Sequence, residues 1–273
     1  MSANDIRVVE NHFAFGKNWA SYAKLIDEAA IEESKNGLLK LIPQEGYKGR
    51  TFLDIGCGSG LHALASVRLG VSRIMAVDID PDCVATTKVL LSRHNIPVPW
   101  QAEQISVFDL DPIRHGTFDI VYSWGVLHHT GDMWAAVKKA SRMVARGGLL
   151  AVALYRTTRF DAFWKLEKRW YAHAFPAAQR LARVLYIAAF RLVQVRLGSF
   201  RKVVPGYRSY RGMDFYHDVH DWLGGYPYET ALAHEVETEM AALGLKPERV
   251  FGQPVTRGMF GTSCDEYVYR RES

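Results

Sequence analysis

The chain has 273 residues, of which 48% are hydrophobic and 23% are charged, and this composition excludes a disordered or low-complexity protein. Three cysteines, Cys57, Cys83 and Cys264, are too few for a disulfide framework and fit a reducing compartment. The net charge of +5 is uneven, because residues 156–211 carry 13 Lys and Arg against two acidic residues, a net +11, which leaves the remainder at −6. No stretch of about eighteen residues lacks a charge, so we expect neither a signal peptide nor a membrane span.

Helical spacing from Trp19 to Ala30 predicts that the first fifty residues are largely helical. Short apolar runs then alternate with helical patterns, which is typical of right-handed β-α-β units in a parallel sheet. The predicted strands lie at residues 51–55, 73–77, 118–123 and 149–154, and the predicted helices at residues 60–69, 82–94 and 132–144. The pair Gly147 and Gly148 predicts the end of the third of these helices.

After Tyr155 the alternation stops. The patterns there predict helices at residues 160–200 and 228–243, a loop at residues 203–228, and two strands at residues 248–251 and 265–269 that add an antiparallel edge. On a helical projection Arg180, Arg183, Arg191 and Gln194 fall within about 80° of one another, and the opposite face is apolar.

We therefore predict an α/β fold: a Rossmann-like, doubly wound, mostly parallel sheet with an antiparallel C-terminal edge, an N-terminal helical lid and a helical insertion after strand five. The predicted parts are a lid at residues 1–48, a core at residues 49–155 and 229–273, and a basic helical insertion with a substrate loop at residues 156–228.

The most informative motif is the segment FLDIGCGSG at residues 52–60. A strand that runs into Gly56, Gly58 and Gly60 allows a ligand to approach the backbone, and the following helix directs its free N–H groups at that ligand. Asp78 ends the next strand, where a carboxylate accepts hydrogen bonds from ribose hydroxyls. The spacing G-x-G-x-G and the carboxylate of Asp54 disfavour a pyrophosphate and suit a cation, such as an ammonium or a sulfonium.

At these residues the sequence resembles the class I S-adenosylmethionine-dependent methyltransferases, whose first motif has the form D-x-G-x-G-x-G. The resemblance covers residues 52–154. Within this family the sequence is similar to the small-molecule subgroup that includes the ubiquinone-pathway O-methyltransferases, because F-D-x-V at residues 118–121 precedes V-L-H-H at residues 126–129. The segment DWLGGYPYE at residues 221–229 resembles bacterial enzymes of this subgroup. A lone glycine turn also occurs as a plain β-to-α connection, so the ordered set of motifs carries the resemblance.

The resemblance implies S-adenosyl-L-methionine as cofactor and assigns its contacts by position. It implies Asp54, Gly56, Gly58 and Gly60 at the amino-acid end, Asp78 at the ribose, Ile79 and Val107 beside the adenine, Ser106 or Asp109 at the exocyclic amine, and Ser123 or Trp124 near the methionine portion. Trp19 is expected in a lid, either in contact with the sulfonium or packing its helix on the sheet.

Catalysis requires alignment of a nucleophile with the methyl group, and a hydroxyl acceptor also requires a base. His128 and His129 follow strand four, where ligands collect in open α/β sheets, and we favour His129; the alternative is that it caps the next helix or packs on Trp134. His217 is a further catalytic candidate. The predicted substrate-binding residues are Tyr155, Tyr210, Arg211, Asp214 and His220. This loop could instead be solvated, and it lacks a four-ligand set, so no metal site is predicted.

Three interpretations of the basic segment stay open: an Arg-rich cap over the substrate pocket, an interfacial helix at residues 160–200 that contacts an anionic membrane, and nucleic-acid binding, which is least favoured because no RNA module accompanies the charge. The favoured function is methyl transfer to a small-molecule acceptor, in a bacterial protein located in the cytoplasm with peripheral membrane contact. A hydroxyl oxygen is the favoured acceptor atom, and nitrogen and carbon are the alternatives. The alternatives are an RNA-directed methyltransferase and a non-catalytic, cofactor-binding regulator.

Overall fold

The computed structural model describes residues 13–196, 215–252 and 258–272. Its centre is a seven-stranded sheet in the order β3-β2-β1-β4-β5-β7-β6. The strands are β1 (Thr51–Ile55), β2 (Arg73–Asp78), β3 (Trp100–Gln104), β4 (Phe118–Trp124), β5 (Val144–Tyr155), β6 (Leu245–Phe251) and β7 (Cys264–Arg271). β7 runs antiparallel to both of its neighbours, β5 and β6, and the other paired strands are parallel. The predicted Rossmann-like fold class and its antiparallel edge are confirmed.

Ten helices in the described residues surround this sheet. They are α1 (Phe15–Tyr22), α2 (Glu28–Leu41), α3 (Leu61–Arg68), α4 (Pro81–Arg93), α5 (Pro112–His115), α6 (Met133–Arg142), α7 (Asp161–His173), α8 (Pro176–Arg196), α9 (Phe215–Gly224) and α10 (Ala233–Ala242). Helices α2, α3 and α4 bury apolar residues on one face of the sheet, and α6 and α10 on the other. Burial of alternate strand residues on opposite faces produces these two layers.

Three local predictions differ from the structure, and two of them concern the sheet. The strand β3 was not predicted, because its sequence WQAEQ is a short, polar edge strand without an apolar run. Gly147 and Gly148 do not end a helix, since α6 ends at Arg142 and both glycines lie inside β5. They lie where the pairing register of β4 and β5 shifts, and a Cβ on Gly148 would stand 2.9 Å from the carbonyl oxygen of Asp119. Glycine therefore serves the irregular pairing of the strands there.

The insertion after β5 consists of α7, α8 and α9, which share a third apolar cluster. The predicted loop at residues 203–228 contains α9, because Phe215, Val219 and Leu223 recur every four residues and are all buried. The substrate candidates Tyr210, Arg211 and Asp214 lie outside the described residues. Within the part of the chain described, no helix is long and apolar enough to cross a bilayer.

Candidate active site

The glycine turn between β1 and α3 is the floor of the site. Gly56, Gly58 and Gly60 have φ of 75°, 53° and 81°, a left-handed region that favours glycine. A Cβ on Gly58 would also stand 3.2 Å from the indole ring of Trp19 in α1. Helix α1 therefore lies directly over the turn.

Asp78 fastens the end of β2 to this turn. One of its carboxylate oxygens accepts a hydrogen bond from the backbone N–H of Gly58 at 3.0 Å, and the other accepts one from the N–H of Asp80 at 3.0 Å. Burial raises the pKa of Asp78 to about 6, although these two hydrogen bonds lower it. The carboxylate lines the large cavity above the turn and keeps lone pairs for further donors.

Asp54 is the most buried acid of the site, with 2% of its surface exposed. Burial, and then the charge of Asp78, raise the pKa of Asp54 to about 7, while a backbone hydrogen bond from Ala63 lowers it. Its Oδ2 atom is buried and has no hydrogen-bond partner. A buried acid with an unpartnered oxygen is costly in the free protein and becomes favourable beside a cation. This arrangement fits a cofactor that carries positive charge.

The cavity above the turn has a volume of about 1120 Å³. Ligand pockets commonly enclose about 300 to 1,000 Å³, so this one has room for two ligands side by side. At one end Ile79, Ser106 and Val107 line the wall, where the resemblance places an adenine. Ser106 accepts the N–H of Phe108 at 3.3 Å and thereby shapes this end. Asp109 is outside the lining.

Two of the predicted cofactor residues are structural. Ser123 is fully buried and donates to the carbonyl oxygen of Ile55 at 3.0 Å, which ties β4 to β1. Gly60 is outside the cavity lining, and a Cβ there would stand 2.9 Å from Thr87 of α4. Its role is the close packing of the turn against α4.

Sequence reasoning missed a polar cluster on the cavity wall formed by three distant segments. Trp124 donates through Nε1 to Glu266 of β7 at 2.9 Å, and Glu266 pairs with Lys40 of α2. His62 also lines this wall, and burial lowers its pKa to about 4, so it is neutral at pH 7. The partners in the Trp124–Glu266 and Lys40–Glu266 contacts are 142 and 226 residues apart in sequence, so no local pattern predicts them.

The two adjacent histidines after β4 differ in which ring nitrogen carries the proton. His129 lines the cavity, and its Nδ1 lies 2.7 Å from the carbonyl oxygen of Pro227. Because a carbonyl oxygen only accepts, Nδ1 carries the proton and the lone pair is on Nε2. A Cβ on Gly225 would stand 2.6 Å from the ring of His129, so glycine provides the room for this imidazole.

His128 has the reverse arrangement and is fully buried outside the cavity lining. Its Nδ1 accepts the backbone N–H of Tyr155 at 3.3 Å, so its proton is on Nε2, which has no partner. Burial, then His129 and Lys168, hold the pKa of His128 well below its usual value. Its ring stacks on Tyr155 at 3.8 Å between centroids. His128 therefore positions the aromatic ring of Tyr155, which lines the cavity.

The two histidines predicted in the loop lie in α9 and outside the cavity lining. His217 lies 3.2 Å from the hydroxyl of Ser21 and contacts the ring of Tyr22. His220 lies 2.8 Å from the hydroxyl of Tyr171 and 2.9 Å from Arg183, and burial, then Arg183, lower its pKa to about 4. His217 thus connects α9 to α1, and His220 connects α9 to α7 and α8. Among the described residues, no group of three or more His, Cys, Asp or Glu is placed to hold a metal ion.

Helix α1 is fastened to both the core and the insertion. The N–H of Gly16 donates to Asp80 at 2.8 Å, and the N–H of Asp80 in turn donates to Asp78. Asn18 donates to Asp221 of α9 at 2.7 Å and to the carbonyl oxygen of His217 at 3.0 Å. Asp221 lines the cavity, so α1 connects the glycine turn to the insertion side.

Comparison with known proteins supports this interpretation. Residues 53–152 match a family model described as a methyltransferase domain. The chain is 30% identical over 110 residues to the ubiquinone biosynthesis O-methyltransferase of Xanthomonas campestris pv. campestris. The aligned residues cover 40% of this chain and 45% of that protein. The chain is also 38% identical over 78 residues to the ribosomal protein L11 methyltransferase of Thermotoga maritima, and these residues cover 28% of this chain and 27% of that protein. The chain thus spans less than half the length of these curated relatives.

The fold is similar to that of magnesium protoporphyrin IX methyltransferase from Synechocystis PCC 6803, solved with bound SAH. The TM-score is 0.53 at 13% identity, over 89% of this chain and 84% of that one. Residues 53–152 are therefore a methyltransferase domain, on the fold of the class I S-adenosylmethionine-dependent methyltransferases.

Proposed function

We propose that this chain transfers a methyl group from S-adenosylmethionine to a hydroxyl oxygen of a small-molecule acceptor, inside the cavity above the glycine turn. The observation that carries the proposal is Asp54, whose buried oxygen has no partner and which adjoins a glycine turn in the methyltransferase domain. When bound, the cofactor supplies an activated methyl group on a sulfonium. The chain must hold it, orient the acceptor, exclude water and accept one proton.

Different groups hold the two ends of the cofactor. Asp78 lines the cavity beside Gly56 and Gly58 and is the acceptor for ribose hydroxyls. Asp54 is outside the lining, so it acts through its charge on the cationic end rather than by contact. The ring of Trp19 covers the turn and excludes water from it. The adenine of the cofactor is enclosed by Ile79, Ser106 and Val107.

The proton of the acceptor hydroxyl goes to His129. Its Nδ1–H is engaged by Pro227, which orients the ring and leaves the lone pair on Nε2. His128 does not serve this role, because its lone pair already accepts the N–H of Tyr155. Neutral acceptors suit the site, since Tyr155, Phe190, Phe215 and Trp222 line the end of the cavity near the insertion.

The proposal also includes peripheral contact of residues 160–200 with an anionic membrane, supported by the positive charge of that segment. An RNA acceptor would use the same charge. It is distinguished by steep weakening of RNA binding with added salt, whereas a small-molecule acceptor shows little salt dependence.

The test of methyl transfer is release of S-adenosylhomocysteine with a panel of hydroxylated acceptors. His129→Asn should lower turnover at least about tenfold and leave the affinity for S-adenosylmethionine, measured by calorimetry, unchanged. His234→Asn, on the exposed surface of α10, is the matched control and should retain turnover. Full turnover of His129→Asn on a hydroxyl acceptor would contradict the assignment of His129 as the base. Absence of cofactor binding to the unmodified chain would contradict the proposed function.

A further inference from the structure

The outer face of α8 is a continuous apolar surface. Leu181, Val184, Leu185, Leu192 and Val195 are each 58–61% exposed. At 100° per residue these five side chains fall within an arc of about 100°, and the intervening positions in that arc are alanines. Globular surfaces rarely present such a stripe without a partner.

Helix α7 also exposes apolar side chains. Phe163, Leu166 and Trp170 are 57%, 70% and 53% exposed at helical spacing, and Phe175 between the two helices is 69% exposed. Residues 160–196 hold ten of the seventeen exposed large hydrophobic side chains of the described chain. A shallow surface pocket of about 380 Å³ places Arg169 and His173 beside Leu166 and Trp170. The exposed apolar side chains of α7 and α8 are together termed here the α7–α8 face.

The α7–α8 face is separate from the core contacts of the same helix. Tyr186, Ile187 and Phe190 lie on the inner side of α8 and pack on the third apolar cluster. Tyr186, Phe190 and Val193 also line the acceptor end of the cavity. Helix α8 is therefore apolar on two sides, and only the inner side is used in folding.

Charge selects the occupant of the outer side. Residues 156–196 carry nine Lys and Arg against Asp161 and Glu167, a formal net charge of +7. On the helical projection, Arg180 and Arg191 flank one edge of the apolar stripe and Arg196 the other. A second copy of the chain would present the same positive face and be repelled, whereas an anionic bilayer offers both acyl chains and negative headgroups.

We propose that the α7–α8 face docks on an anionic lipid bilayer, with α8 lying in the interface plane. This inference builds on the proposed membrane contact and adds its surface and orientation. The apolar stripe enters the acyl boundary, and the flanking arginines remain at the headgroups. Because the inner side of α8 lines the cavity, the acceptor end lies about 10 Å, one helix diameter, from the lipid. An acceptor that partitions into the bilayer would thus be concentrated beside the cavity.

Sedimentation of the full chain with lipid vesicles tests this docking. The chain should bind vesicles of phosphatidylglycerol and phosphatidylcholine, and bind vesicles of phosphatidylcholine alone at least about tenfold more weakly. Replacing both Leu185→Asp and Leu192→Asp should reduce binding to the anionic vesicles at least about tenfold, because two exposed leucines no longer enter the lipid. The milder pair Leu185→Ser and Leu192→Ser should weaken binding in the same direction.

The matched control is Ile113→Asp, which places the same charge on a side chain that is 95% exposed and outside the α7–α8 face. It should bind vesicles like the unmodified chain. Melting temperature and S-adenosylmethionine affinity should be unchanged in all variants, so failure of docking is separable from failure of methyl transfer. No vesicle binding, equal binding by the stripe variants, or a dimer in lipid-free solution that the stripe variants dissociate would overturn the proposal.

Discussion

Replacing Asp54 with asparagine should stabilise the ligand-free protein and impair cofactor binding. Burial, and then the charge of Asp78, raise the pKa of Asp54 from 3.8 to about 7. An acid with a raised pKa disfavours folding as pH rises, because the folded state holds its proton longer than the unfolded chain. Its cost is absent below about pH 4 and complete above about pH 7. Asparagine keeps the shape and removes the charge.

The magnitude follows from the shift of about three pKa units, each worth about 1.4 kcal/mol. At about pH 8 the free energy of unfolding of Asp54→Asn should exceed that of the unmodified chain by up to about 4 kcal/mol. At about pH 4 the difference should fall below about 1 kcal/mol, since the unmodified residue is then neutral in the folded state. Affinity for S-adenosylmethionine at about pH 8 should fall at least about tenfold, because the cation loses its countercharge.

Urea unfolding at the two pH values, with calorimetric titration of the cofactor, measures both effects. Asp119→Asn is a control of opposite sign. Burial acts to raise the pKa of Asp119, but hydrogen bonds from Thr51 and Arg50 outweigh it and hold the pKa below its usual value. Its loss should therefore destabilise the protein at about pH 8. The reasoning would be refuted if Asp54→Asn gained no stability at about pH 8, or gained as much at about pH 4.

Other predictions concern the same turn. Cofactor binding to the unmodified chain should release protons near pH 7 and weaken toward pH 5, because Asp54, with its pKa raised to about 7, must ionise to attract the cation, and Asp78, with its pKa raised to about 6, must ionise to accept from the ribose hydroxyls; calorimetry in buffers of different ionisation enthalpy checks this. Gly58→Ala should weaken cofactor binding at least about tenfold, since its φ is 53° and Trp19 occupies the space of a Cβ. Trp19→Ala should weaken binding about three- to tenfold by loss of the cover over the turn, and titration that showed no change would remove Trp19 from the site.

The parts of the site that could be predicted from sequence lie within one β-α-β unit. Asp54, Gly56 and Gly58 are neighbours along the chain, and Asp78 ends the next strand of a parallel sheet, so periodicity alone brings them to one edge. The fold class followed from the same alternation. The edge strand β3 did not, because its residues are mostly exposed and carry no apolar period.

The parts that could not be predicted depend on tertiary contacts. Nothing local distinguishes His128 from His129, yet the backbone N–H of Tyr155 occupies the lone pair of one and the carbonyl oxygen of Pro227, 98 residues away, orients the other. The pairing of Trp124 with Glu266 depends on β7 lying beside β5. Such partners are determined by strand order, which the hydrophobic pattern leaves open.

Helix α1 contacts both ends of the cavity. Helix α1 is held at one end by Gly16 on Asp80, beside the ribose end, and in its middle by Asn18 on Asp221 of the insertion. Trp19 follows Asn18 directly and lies over Gly58. Because one short helix bears all three contacts, displacement at the cofactor end also shifts Asn18 and hence the cavity-lining α9. A cofactor that packed under Trp19 would therefore act on the acceptor end through α1, and by linkage an acceptor would change the affinity for the cofactor by the same factor.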